Sequence, residues 1–274
     1  MRPRMPRPSL NLLIGGSIVG LLLGVALFAP LLAPMDPLKL DLPARMSGPG
    51  PTHLLGGDEF GRDLASRLIY GARTSVGIAL ITTLVAVMLG LVFGTLAGFL
   101  RGAADRVIMV FNDAFLAFPG LLLALGFMTV FGASRAGIVV ALGLAYMPVV
   151  VRLVRGTVLS VRTREYVEAS RVGGNSEVYT MMRHVLPNSM APVIVMATTM
   201  FGWILLSESA LSFLGLGVPP PAPSWGNMLS TARPHAMLAP HLVILPGLCI
   251  SLALLGVNLL GDALRDWLDP KMRR

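Results

Sequence analysis

The sequence predicts an all-α integral membrane protein with six transmembrane helices, and three observations carry this. Of its 274 residues 54% are hydrophobic and only 13% charged, whereas soluble domains run near a quarter charged. The apolar residues are spread along the whole chain in six runs near the ~20-residue length that crosses ~30 Å of hydrocarbon as a helix. Lys and Arg, summed over alternate connections, divide fifteen to seven, an imbalance that opposite sides of a membrane produce.

The six runs are Leu10 to Leu32, Val76 to Leu100, Val107 to Phe131, Ala136 to Val154, Met190 to Leu214 and His241 to Leu260. The first follows a basic start, but its apolar stretch exceeds the ~7–15 residues of a signal-peptide core, so it reads as a retained span. The third is the weakest, interrupted by Asn112, Asp113 and Pro119. With the N-terminus in the cytoplasm, fifteen of the 22 Lys and Arg fall on the cytoplasmic side and seven opposite. Both termini are therefore expected inside. The net charge of +8 follows from this topology and needs no nucleic acid. Gly16, Gly20 and Gly24, then Gly90, Gly94 and Gly98, then Gly137, Ala141 and Ala145 form small-residue stripes at four-residue spacing. Such stripes let helix backbones approach closely in lipid.

Several function classes are excluded or disfavoured. Cys249 is the only cysteine, so no internal disulfide framework exists. The only lysines, Lys39 and Lys271, do not end a phosphate-binding G-x-x-x-x-G-K-[ST] loop, so any ATP is bound by another subunit. His53, His184, His235 and His241 are dispersed without metal-ligand spacing, and no metal site is expected. A membrane-embedded enzyme would need paired acid/base groups or a G-x-S-x-G turn, and neither is present. A stand-alone channel remains a different class, separated by whether flux requires ATP and partners.

Three connections are long: Ala33 to Ser75, Arg155 to Ser189 and Gly215 to Pro240. In the cytoplasmic one, Arg162 to Ser189, helix formers from Arg164 to Val172 stop at Gly173 and Gly174. A second helical run, Ser176 to Val185, is expected to end before Pro187. Two short helices at a glycine elbow make a knob that a soluble protein could grip.

Within that loop Glu168, Ala169, Ser170, then Gly174, then Leu186 and Pro187 resemble the EAA loop of ABC importer permeases, E-A-A-x3-G-x9-I-x-L-P, with Ser170 at the second alanine and His184 at a usually apolar position. His53 to Thr74, Glu208 to Leu229 and Asn258 to Pro270 are similar to signatures of the C-type, second permease subunit of dipeptide, oligopeptide and nickel importers, with Gly57 where Thr is commoner. The resemblance covers nearly the whole chain. It implies a type I ABC importer permease bundle that forms half of a translocation pathway for di- or oligopeptides by alternating access, with nickel or a metal chelate as the alternative cargo.

The resemblance also implies roles and partners. Glu165, Glu168, Ala169, Ser170, Gly174, Leu186 and Pro187 would couple to the ATPase, Glu168 pairing with a basic group there. Asn112 and Asp113, polar inside a span, and Glu208 would line the pathway or support a gate. Asp58, Arg62, Asp63 and Trp225 would face a docking substrate-binding protein. The partners implied are a second homologous permease (a heterodimer), two cytoplasmic ABC ATPases that carry ATP and Mg, and an extracytoplasmic substrate-binding protein, all at a bacterial or archaeal inner membrane. The organisation expected is a cytoplasmic tail 1–9, a first helix 10–34, an extracytoplasmic loop 35–75, a core permease domain 76–262 containing the loop 162–189, and a cytoplasmic tail 263–274.

Overall fold

Why helices begin and end where they do is decided largely by prolines and caps. The computed structural model describes residues 9–268 and has helices α1 (Leu10–Leu27), α2 (Leu64–Leu100), α3 (Gly102–Leu116), α4 (Gly120–Phe131), α5 (Arg135–Val161), α6 (Glu165–Val172), α7 (Glu177–Thr180), α8 (Met190–Phe213), α9 (Trp225–Ala232) and α10 (His241–Leu268). Among the described residues α1, α2, α5, α8 and α10 are each long and apolar enough to cross a membrane, and α3 with α4 makes a sixth if the bent pair is one span.

The single third span expected from Val107 to Phe131 is instead two helices bent by 98°. Pro119 is the cause: it lacks an N–H and forces Phe118 away from helical dihedrals, so α3 ends and α4 restarts with Pro119 at its N-cap. α1 stops at Leu27, short of the expected 34, and a four-residue turn, Ala29–Leu32, follows with Pro30 in its first turn. α2 starts at Leu64, twelve residues ahead of the expected Val76. The side chain of Asp63 accepts the Ser66 N–H at 2.8 Å and so caps it. Its 37 residues span about 55 Å, longer than the hydrocarbon layer is thick. The expected tail from residue 263 is helical through Leu268. Residues 1–8 and 269–274, the remainder of the expected tails, lie outside the described residues.

The chain divides into two compact units, and neither coincides with the expected core of 76–262. One comprises residues 9–80, 133–135 and 201–268, the other residues 81–132 and 136–200. In the first unit α1 lies backbone to backbone on α10: a Cβ on Gly15 would sit 2.6 Å from the Leu260 nitrogen, and one on Gly256 would sit 2.9 Å from the Ile18 Cβ. A Cβ on Gly16, Gly20 or Gly24 would meet no atom within 4 Å, so that stripe packs on none of the described residues.

In the second unit the stripe of α2 is occupied. Val150, Val154 and Val158 of α5 seat on Gly90, Gly94 and Gly98, and a Cβ on Gly94 would lie 2.7 Å from the Val154 Cβ. Just beyond α5, Arg162 Nη1 donates to the carbonyls of Gly98 and Phe99 at 3.2 and 3.1 Å. A cation there satisfies carbonyls that the end of α2 leaves open. Arg155 grips Asp105 of α3 through two hydrogen bonds of 2.5 and 2.7 Å.

Candidate functional site

The loop between α5 and α8 is built to hold one face rigid and present another. Val167 and Ser170, three residues apart on α6, are buried, while Glu165, Glu168 and Ala169 are exposed. Gly173 and Gly174 end the helix, and Gly174 sits at φ +83°, a left-handed conformation natural to glycine. Ser176 restarts it by accepting the Tyr179 N–H. Across the elbow the buried hydroxyls of Ser170 and Thr180 share a hydrogen bond of 3.1 Å, and Asn175 Nδ2 donates to Ser170 Oγ at 3.2 Å. His184 lies against Tyr166 and Tyr179, ring centroids 6.4 and 6.0 Å away. A histidine thus fills an apolar position by packing edge-on between two rings.

The second helical run does not stop before Pro187 as expected. A wide turn at Met181–Val185 carries it through, with the Leu186 N–H reaching back five residues to the Met181 carbonyl. Pro187 has no N–H to give to the preceding turn, and the wider turn accommodates that loss. The outer surface of the knob combines acids with apolar side chains: Val172 is 85% exposed and Val178 65%, alongside exposed Tyr166, Tyr179 and Met182.

The four residues expected to face a docking protein are buried instead: Asp58, Arg62, Asp63 and Trp225 are 4%, 8%, 2% and 1% exposed. Asp58 Oδ2 takes Arg62 Nε at 2.6 Å and Arg67 Nε at 3.1 Å, and its Oδ1 accepts the Phe60 and Arg62 backbone N–H groups. Asp63 takes the Ser66 hydroxyl at 2.6 Å and His53 Nδ1 at 3.2 Å, while His53 Nε2 meets Asp41 at 3.2 Å. Asp41 and Asp63 together raise the His53 pKa above its ordinary value, Asp41 through the larger contribution. Trp225 donates from Nε1 to the Leu68 carbonyl and from its backbone to Ser75 Oγ. These side chains build the loops and do not present themselves. Arg73 and Arg135 are exposed and line an open groove of about 860 Å³ with Asp36, Tyr70 and Pro223.

The three expected pathway residues separate. Glu208 is fully buried; its Oε1 accepts from Ser212 Oγ of the same helix at 2.9 Å, and its Oε2 has no hydrogen-bond partner among the described residues. Asn112 is 3% exposed, and neither polar atom of its amide has a hydrogen-bond partner. It stands in the wall of a cavity of about 360 Å³ otherwise lined by apolar groups, among them Phe93, Phe115, Met147 and Val151. Asp113 points outward and pairs with Arg152 at 2.6 Å. The Arg152 partnership, the Asp105–Arg155 clamp and the Ser170–Thr180 bond were not legible in the sequence, because nothing in residue spacing links groups from different helices. No group of three metal-ligating side chains occurs among the described residues.

Comparison with known proteins agrees with this geometry. Residues 90–274 match the family described as binding-protein-dependent transport system inner membrane component. The chain is 45% identical over 267 residues to the di/tripeptide transport system permease protein DppC of Pseudomonas aeruginosa, covering 95% of this chain and 88% of that one. It is 41% identical over 259 residues to the glutathione transport system permease protein GsiD of Pectobacterium atrosepticum, covering 94% and 86%. A solved structure of the MetNI methionine ABC transporter in an inward-facing conformation shares the fold, with a TM-score of 0.59 at 16% identity over 74% of this chain and 96% of that chain. The chain is therefore a multi-pass membrane permease that belongs to the binding-protein-dependent transport system inner membrane component family.

Proposed function

We propose that this chain is the C-type permease subunit of an ATP-driven importer of di- and oligopeptides. It forms half of the translocation pathway beside a second, homologous permease, with two ATPases below and a substrate-binding protein above. The loop of residues 162–189 and both termini lie in the cytoplasm. The observation that carries the coupling role is the outward face of α6 and α7. There Glu165 and Glu168 stand beside exposed Tyr166, Val172, Val178 and Met182 on a frame locked from within. An acidic rim around apolar anchors suits a basic-lipped cleft on a soluble partner. Small Ala169 and the Gly174 elbow permit close approach.

ATP and Mg are bound by the partner ATPases, and closure of those subunits pulls the loop and turns the bundle from inward to outward opening. On the opposite side the binding protein meets the groove of Arg73 and Arg135, whose walls the buried Asp58, Arg62, Asp63 and Trp225 hold in shape. The relatives described above carry di/tripeptides and glutathione by name, which supports peptide as cargo over nickel or a metal chelate. The test is to tag the chain in its host, solubilise gently and identify by mass spectrometry what copurifies. A second six-span permease with one or two ATPases is expected. Recovery of this chain alone or as a homo-oligomer, under several detergents, would contradict the proposal.

A further inference from the structure

The two ion pairs that join α3 to α5 differ in a way that separates a structural clamp from an open contact. Arg155 and Asp105 are bound through two nitrogens and two oxygens, with side chains 30% and 20% exposed. Arg152 and Asp113 share a single hydrogen bond of 2.6 Å, and their side chains are 59% and 56% exposed. Arg152 Nε and Nη1 and the second oxygen of Asp113 therefore have no partner among the described residues.

The position of the pair matters. Arg152 lies about 25 Å along α5 from its start, at the cytoplasmic edge of the ~30 Å of a hydrocarbon layer. Charged groups at such a level face the bundle interior, a water-filled cavity or the interface, since lipid gives them no partner. Beside the pair, Leu116, Val149 and Leu153 line an apolar notch of about 280 Å³ that Arg152 also borders.

We infer that the Asp113–Arg152 pair and the notch beside it are a contact for the charged ends and an apolar side chain of the peptide cargo, an inference that rests on the peptide-permease reading above. A small peptide carries an ammonium, a carboxylate and side chains within a few bonds of one another. Its carboxylate fits the open nitrogens of Arg152, its ammonium fits the free oxygen of Asp113, and an apolar side chain fits between Leu116, Val149 and Leu153. The peptide then bridges a pair that is already half-open, and one monodentate ion pair becomes two charge-assisted contacts. Release follows when water reaches the pair and the two residues rejoin.

The experiment uses the complete importer, reconstituted in proteoliposomes with its binding protein, and two probes: radiolabelled Ala-Leu and a dipeptide of alanine and benzoylphenylalanine for photolabelling. Asp113→Asn and Arg152→Gln are each expected to slow Ala-Leu uptake about tenfold, the scale of one lost charge-assisted hydrogen bond. The double variant Asp113→Asn/Arg152→Gln is expected to transport no better than the slower single. In the unmodified complex the photolabel is expected on residues 105–116 and 149–155 and to be displaced by excess Ala-Leu. Recovery of normal uptake in the double variant would overturn the inference, because removing both partners of a purely structural pair is nearly harmless. Loss of the second permease from the single variants would assign the pair to a subunit contact and overturn it as well, as would a transporting wild-type complex with neither segment labelled. Failure of the wild-type complex to take up Ala-Leu with ATP would instead defeat the peptide-permease reading itself.

Discussion

Ser170 and Thr180 are ten residues apart in sequence and on opposite sides of a glycine elbow, yet their hydroxyls meet at 3.1 Å with both side chains buried. This bond ties α6 to the turn that leads into α8 across the elbow. Ser170→Ala leaves the Thr180 hydroxyl buried and unpaired, which costs about 1–3 kcal/mol of local stability. Faster hydrogen exchange across residues 165–180 is expected, measured by mass spectrometry. Adding Thr180→Val removes the orphan and should return exchange most of the way; a double variant no better than the single would place the frame elsewhere.

The clamp of Asp41, His53 and Asp63 makes the loop ahead of α2 sensitive to pH. Both carboxylates favour the imidazolium, so the folded His53 has a pKa above its ordinary 6.5. The stabilisation is fully present below about 6.5 and is lost as pH rises through the raised folded value. The protection factors of residues 41–66, with the intrinsic base catalysis of amide exchange divided out, should fall between mildly acid and alkaline buffer, and His53→Gln should flatten that dependence. An unchanged profile in the variant would show that His53 is not the titrating group.

Gly94 and Gly16 look equivalent in sequence and are not equivalent in the fold. A side chain at Gly94 would press on the Val154 Cβ and the Val151 carbonyl at 2.7 and 2.8 Å, whereas one at Gly16 meets nothing within 4 Å. Gly94→Val should lower thermal stability in detergent, by about 1–3 kcal/mol of overpacking. Gly16→Ala should leave the isolated chain's stability unchanged, and equal losses at both sites would contradict the packing described.

Arg73 and Arg135 are the exposed cations of the open groove, whereas Asp58 and Asp63 are buried. Arg73→Glu/Arg135→Glu should raise the binding-protein concentration needed for half-maximal ATPase stimulation about tenfold, an effect that grows at low salt. A titration curve superimposable on wild type would move the docking surface off this groove.

The spans and the glycine elbow were legible because each has a local signature: an apolar run, a helix breaker. Asp58, Arg62 and Asp63 misled because a charged loop reads as a surface, while folding turned those charges on one another and on the backbone. Pro119 was read as an interruption within one span, since sequence alone does not say whether a proline kinks a helix or redirects it by 98°. Arg152 was counted only as a topological charge; its partner lies 39 residues away on another helix, a distance at which spacing carries no information. Glu208 reads as a polar group near a helix end, and nothing in its spacing says that the fold buries it completely.

The central claim is that the face bearing Glu168 transmits ATP hydrolysis to the bundle, and a charge reversal tests it most directly. In the purified importer with its binding protein, Glu168→Arg is expected either to lose the ATPase subunits on purification or to keep them without peptide-stimulated turnover. An assembled Glu168→Arg complex with wild-type, peptide-stimulated ATP turnover would contradict the account.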